Sequence, residues 1–115
     1  MPSAKLLDHF QNPRNVGELP SPARTVEVMN PACGDLLRLS VRWEQDKAVA
    51  VRFQVRGCSA SIGVGSAVAE WMEGKTREEL RTLKTTDLEA LVGGLAPESK
   101  HAAALALDAI RAQLR

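Results

Sequence analysis

The spacing of apolar residues changes once along the chain, at Cys58, and that change limits what the chain can fold into. From Thr25 the period is two. Val26 and Val28 flank Glu27, and Leu37, Leu39, Val41 and Trp43 alternate with Arg38, Ser40 and Arg42. After the polar turn Glu44-Gln45-Asp46-Lys47, Val49, Val51, Phe53 and Val55 alternate with Ala50, Arg52, Gln54 and Arg56. Successive side chains of a strand point to opposite faces, so these segments predict an antiparallel meander of three strands with one wet face. Beyond Cys58, apolar residues recur at intervals of three and four: Val64, Ala67, Val68, Trp71 and Met72 form one stripe of a helix that Gly74 closes. Upstream, Asn12-Pro13 ends a short helix that includes Asp8 to Phe10. Downstream, Thr76-Arg77-Glu78-Glu79 and Thr86-Asp87-Leu88-Glu89 read as capping boxes of two short helices, the second ended by Gly93-Gly94. A last helix is expected from near Pro97, with Ala103, Ala106, Leu107, Ile110 and Leu114 as its buried stripe. The expected class is α+β, a three-stranded antiparallel sheet with helices packed on one face.

A chain of 115 residues suits one domain, residues 1–115. The net charge of +1 is spread over interspersed acids and bases, which argues against a phosphate-tracking groove and hence against nucleic acid as a partner. The first residues lack the apolar stretch of a signal peptide, and no segment approaches the ~18 apolar residues that span a bilayer, so a cytoplasmic protein without a membrane partner is expected. Thiols stay reduced there, and the two cysteines make no disulfide framework, which leaves metal binding or sulfur chemistry beside plain burial.

Both cysteines stand at joints. Asn30-Pro31-Ala32-Cys33-Gly34-Asp35 precedes one alternating run, and Gly57-Cys58-Ser59-Ala60-Ser61 follows another. A helix starting after Cys58 would set its sulfur against unpaired N–H groups and the positive end of the dipole, which favours the thiolate. Gly34 permits an unusual backbone angle that can turn the Asp35 carboxylate toward the same space, and His101 offers an imidazole at the start of the last helix. If the end of the sheet and the helix starts converge, Cys33, Asp35, Cys58 and His101 supply four ligands for tetrahedral zinc or a small iron–sulfur cluster. Plain roles stay open for each: core burial for the cysteines, a turn hydrogen bond for Asp35, a solvated or capping place for His101. Trp43, Trp71 and Phe53 read as core, and His9 as a surface residue.

Three motifs in order resemble the NifU/IscU/SufU family of iron–sulfur cluster assembly scaffolds: Asp8-His9-Phe10-Gln11-Asn12-Pro13-Arg14-Asn15-Val16-Gly17, then the segments around Cys33 and Cys58. The resemblance runs from about Lys5 to Arg115 and is loose from Thr76 to Lys100. It implies an IscU/SufE-like fold, sulfur received from a cysteine desulfurase, a labile 2Fe–2S cluster or iron held by cysteines with an aspartate alongside, and delivery to apoproteins. In the SufU branch it implies zinc and sulfur relay. The family's third cysteine belongs near the start of the last helix, where this chain has Ala102 after His101. His101 resembles the histidine that precedes that cysteine in the IscU branch. Leu95-Ala96-Pro97-Glu98-Ser99-Lys100 is a poor match to the segment an Hsp70-type chaperone grips, which weighs against chaperone-driven transfer. Three readings result: a scaffold or carrier using Cys33, Asp35, Cys58 and His101, with zinc in the resting form and no enzymatic activity in the usual sense; a zinc-dependent sulfurtransferase with Cys33 as sulfur acceptor; or a protein-binding relative without metal.

Overall fold

A computed structural model of the chain describes residues 2–31 and 34–115. Its elements are α1 (Ala4–Gln11), β1 (Arg24–Met29), β2 (Leu36–Glu44), β3 (Lys47–Arg56), α2 (Ser59–Met72), α3 (Arg77–Arg81), α4 (Thr85–Leu91), a 3-10 turn (Pro97–Ser99) and α5 (His101–Leu114). The strands form one antiparallel sheet in the order β1-β2-β3, with Leu39 opposite both Val26 and Phe53. Period-two patterning puts Leu37, Leu39, Val41, Val51 and Phe53 on the buried face, under Val64, Val68 and Met72 of α2 and Leu105, Ala109 and Ile110 of α5. The opposite face carries Arg38, Arg42 and Arg52, which pair with Glu18 at 3.3 Å, Glu44 at 3.4 Å and Glu73 at 3.2 Å. Helices on one face of a three-stranded antiparallel sheet make the α+β architecture that the patterning implies. Among the described residues no helix is long and apolar enough to cross a membrane.

Four local details depart from the pattern. The turn after β2 has only two residues, Gln45 and Asp46, both at positive φ (51° and 64°), the mirror-image geometry that matches strand twist. The ladder then slips: Arg42 pairs with Ala50 but Trp43 with Ala48, so a bulge skips Val49 and Ala48 takes the buried place. Helix α4 starts before the expected box, because the Asp87 carboxylate reaches back to accept the Lys84 N–H at 2.8 Å, with Leu88 fully buried on the inner side. In α5 burial extends beyond one stripe to Ala102, Leu105, Ala109 and Gln113. The Gln113 amide is fully enclosed and fully partnered: its N–H groups donate to the carbonyls of Arg24 at 2.7 Å and Leu39 at 2.8 Å, and its oxygen accepts the Trp43 indole N–H at 3.1 Å.

The N-terminal helix is pinned at both ends. The Ser3 hydroxyl accepts the Leu6 N–H at 3.0 Å and donates to the Val92 carbonyl. Leu6 packs so closely on α2 that a Cβ at Gly63 would lie 2.6 Å from its Cδ1. His9 is not the surface residue its sequence context suggests: its side chain is 12% exposed and it contacts α2 at Ser66. The Ser66 hydroxyl accepts the Arg14 backbone N–H at 2.8 Å and thereby donates its own proton to His9 Nδ1, also at 2.8 Å.

Candidate metal centre

Two joints of the fold meet at one end of the sheet. Between β1 and β2, the Gly34 N–H donates to the Asn30 carbonyl at 2.7 Å and the Asn30 N–H to the Asp35 carbonyl at 2.8 Å. Gly34 sits at φ +75°, a conformation that side chains resist, and Asp35 follows as a buried residue just before β2. Between β3 and α2, Cys58 is the N-cap of α2 in extended backbone geometry. Gly57 makes this junction possible, since a Cβ there would stand 2.5 Å from Asp35 Cγ and 2.6 Å from Oδ1. His101 opens α5 beyond the 3-10 turn.

One oxygen, Asp35 Oδ2, is the hub. It accepts the Ser61 hydroxyl at 2.7 Å, the Cys58 N–H at 3.4 Å and the Cys58 thiol at 3.2 Å, and it lies 3.5 Å from His101 Nε2. Cys58 Sγ lies 3.3 Å from the same imidazole nitrogen. The other ring nitrogen, Nδ1, is 3.1 Å from the Glu98 carbonyl. A carbonyl only accepts, so Nδ1 carries a proton, and Nε2 is the nitrogen turned toward the sulfur and the carboxylate. Desolvation at this buried position pushes the Asp35 carboxyl upward. The hydrogen bonds from Ser61 and Cys58 and the nearby His101 outweigh it and hold Asp35 below the ordinary carboxylate range.

Asp35 Oδ2, Cys58 Sγ and His101 Nε2 therefore form a donor triangle, all within 4.8 Å of one another. Tetrahedral zinc, with bonds of about 2.3 Å to sulfur and about 2.0–2.1 Å to nitrogen and oxygen, separates its donors by roughly 3.3–3.6 Å. The observed edges of 3.2, 3.3 and 3.5 Å come within about 0.4 Å of that spacing, so a small side-chain adjustment suffices. Thiolate, carboxylate and neutral imidazole together carry two negative charges, which balance a divalent ion. Asp35 lies at the bottom of the site, with its side chain 8% exposed, and His101 at the rim, at 28%. The structure thus brings together three of the four residues singled out in the sequence. The fourth, Cys33, lies outside the described residues. Ala102 is buried at 2% exposure beside His101. The sequence by itself assigns no role to Gly57 or Ser61. The only signal for either was membership of the Gly57–Ser61 motif, because each acts through a residue more than 20 positions away.

The chain is 38% identical to the iron-sulfur cluster assembly scaffold protein IscU of Azotobacter vinelandii, over 98% of this chain and 91% of that protein. It is likewise 38% identical to IscU 1 of Archaeoglobus fulgidus, over 96% of this chain and 72% of that protein. Among solved structures it is similar to a candidate iron-sulfur cluster assembly scaffold protein for the SUF system from thermophilic Fervidobacterium islandicum AW-1. There the TM-score is 0.79 and the coverage 98% and 96%, at 19% identity, a likeness of fold alone. The model of the NifU-like N terminal domain matches residues 1–115, and the chain belongs to that family.

Proposed function

We propose that residues 1–115 act as one iron–sulfur cluster assembly scaffold or carrier, whose cargo is iron or a labile 2Fe–2S cluster and whose resting form holds zinc. Asp35, Cys58 and His101 supply three donors, and Cys33, two positions before Asp35 in the chain, supplies the second thiolate. The observation that carries this reading is the convergence of Asp35 Oδ2, Cys58 Sγ and His101 Nε2 within 4.8 Å. It is supported by the scaffold function named for relatives that this chain matches at 38% identity over nearly its whole length. A mixed set with one carboxylate and one imidazole holds a cluster less tightly than thiolates alone, which suits a protein that must give its cargo away. Sulfur would come from a cysteine desulfurase and the product would pass to apoproteins, in a cytoplasm that keeps Cys58 reduced. The 95–100 segment weighs against an Hsp70-type chaperone step in that transfer.

The tetrahedral donor spacing favours a second reading, a zinc-dependent sulfurtransferase in which Cys33 takes the sulfur while Cys58 stays on the metal. Elemental analysis and the visible spectrum of protein purified without oxygen, then reconstituted with ferrous iron and sulfide, separate the two. A reddish chromophore supports cluster carriage. About one zinc per chain, with no chromophore after reconstitution, supports sulfur relay. Cys58→Ser should abolish most of the bound metal in either case, because a neutral hydroxyl is a far weaker ligand than a thiolate. Parent protein that binds neither zinc nor iron under both conditions would overturn the metal-centred function.

A further inference from the structure

Ser61, the third residue of α2, is 3% exposed, and its hydroxyl makes the shortest polar contact of the centre, 2.7 Å to Asp35 Oδ2. That oxygen is the same one that faces Cys58 Sγ at 3.2 Å and His101 Nε2 at 3.5 Å. We propose that Ser61 is a positioning residue of the metal centre, which fixes the rotation of the Asp35 carboxylate so that Oδ2 stays in the donor triangle; the inference rests on the metal-binding reading above.

The two sides of the carboxylate are treated differently. On the Cγ and Oδ1 side the missing Cβ of Gly57 leaves room. On the Oδ2 side Ser61 is the closest donor that persists when metal binds. The Cys58 thiol gives up its proton to become a ligand, and the Cys58 N–H is longer, at 3.4 Å. Without Ser61 a short carboxylate hinged at two torsions could turn Oδ2 away from Cys58 and His101. Ser61 is not itself a donor to the metal, because its proton is committed to Asp35 and a neutral hydroxyl competes poorly with thiolate, imidazole and carboxylate. Partners that orient metal ligands in this way are worth about 10- to 100-fold in metal affinity.

Cobalt(II) titration of the whole chain, followed through the thiolate-to-cobalt charge-transfer band and competition with a chelator, tests the assignment. Ser61→Ala should weaken cobalt binding about 10- to 100-fold. Ser61→Thr, which keeps the hydroxyl, should bind within about twofold of the parent, while Ser61→Val, with the shape of Thr but no hydroxyl, should bind like Ser61→Ala. This isosteric pair decides the matter should the alanine variant fail to fold. In an Asp35→Ala background, Ser61→Ala should cost nothing further, since the carboxylate it orients is gone. Equal affinity of Ser61→Ala and parent would overturn the positioning role and leave the metal centre intact, as would an equal loss in the Asp35→Ala background. A parent chain that shows no thiolate-to-cobalt band would remove the metal-binding reading and the role of Ser61 with it.

Discussion

At the scale of single residues the centre depends on an atom that is missing. Gly57 has no positive φ to defend, so its backbone would accept alanine; its contribution is space for Asp35. Gly57→Ala should therefore force Asp35 to move by about an ångström or turn its carboxylate, at a modest cost in stability. Metal retention in a chelator challenge should fall to about that of an Asp35→Ala variant, within a factor of a few, in protein that still unfolds cooperatively. Parental retention in Gly57→Ala would show that Asp35 does not need its present place. The contrast with Cys58, Asp35 and His101 shows what a sequence can reveal at this scale. Those three carry chemically distinctive side chains at joints between periodic segments, so each can be found one at a time. Gly57 and Ser61 have ordinary side chains, and their roles exist only once residues 35, 57 and 61 are folded against one another.

At the scale of elements, the strands and long helices follow from periodicity because burying one face outweighs every other local preference in them. Where a second demand competes, the edges shift. The hairpin between β2 and β3 shows this: twist demands a two-residue loop with both residues left-handed, and the cost of placing Gln45 at φ 51° is tolerated because the bulge after Arg42 keeps Ala48 and Val51 inward. Asparagine is several-fold more common than glutamine-like residues in that region, a preference equivalent to about 0.5 kcal/mol. Gln45→Asn should stabilise the protein by about 0.5 kcal/mol, raising the melting temperature by roughly 2 °C. Asp46 must be left alone, since its carboxylate accepts Arg77 Nε at 3.1 Å. A lower urea midpoint for Gln45→Asn would mean that the turn is not the strained feature of this hairpin. Helix α5 shows the opposite limit: it lies against β1, β2, α2 and α4, so a one-stripe pattern understates its burial and gives no warning of Gln113.

At the scale of the whole molecule, the cluster that joins α1, the following loop and α2 links global stability to pH. His9 Nδ1 accepts from Ser66 at 2.8 Å and from Arg14 Nη1 at 3.1 Å, so the ring is neutral with its proton on Nε2, 4.0 Å from Glu70. Burial lowers the His9 pKa and the Arg14 charge lowers it further, against smaller opposing effects of Glu70 and Asp8. The folded pKa is thus below the reference value of 6.5 that holds in the unfolded chain. Below pH 6.5 the unfolded state binds the proton more readily, so this contribution is fully present above that pH and is lost as pH falls toward the folded pKa. Protonation at Nδ1 would set a positive ring against the Arg14 guanidinium and break the acceptor end of the Ser66 hydrogen bond. Urea unfolding of metal-free protein between pH 8 and pH 5 should show the parent losing more stability on acidification than His9→Gln, whose amide can still accept from Ser66 but does not titrate. Metal-free protein excludes ligand release as the source of the slope, and Asp35, held below the carboxylate range, does not change charge in this window. Identical pH slopes in the two proteins would mean that the contact between α1 and α2 tolerates a charged His9, and the coupling of this helix pair to pH would have to be abandoned.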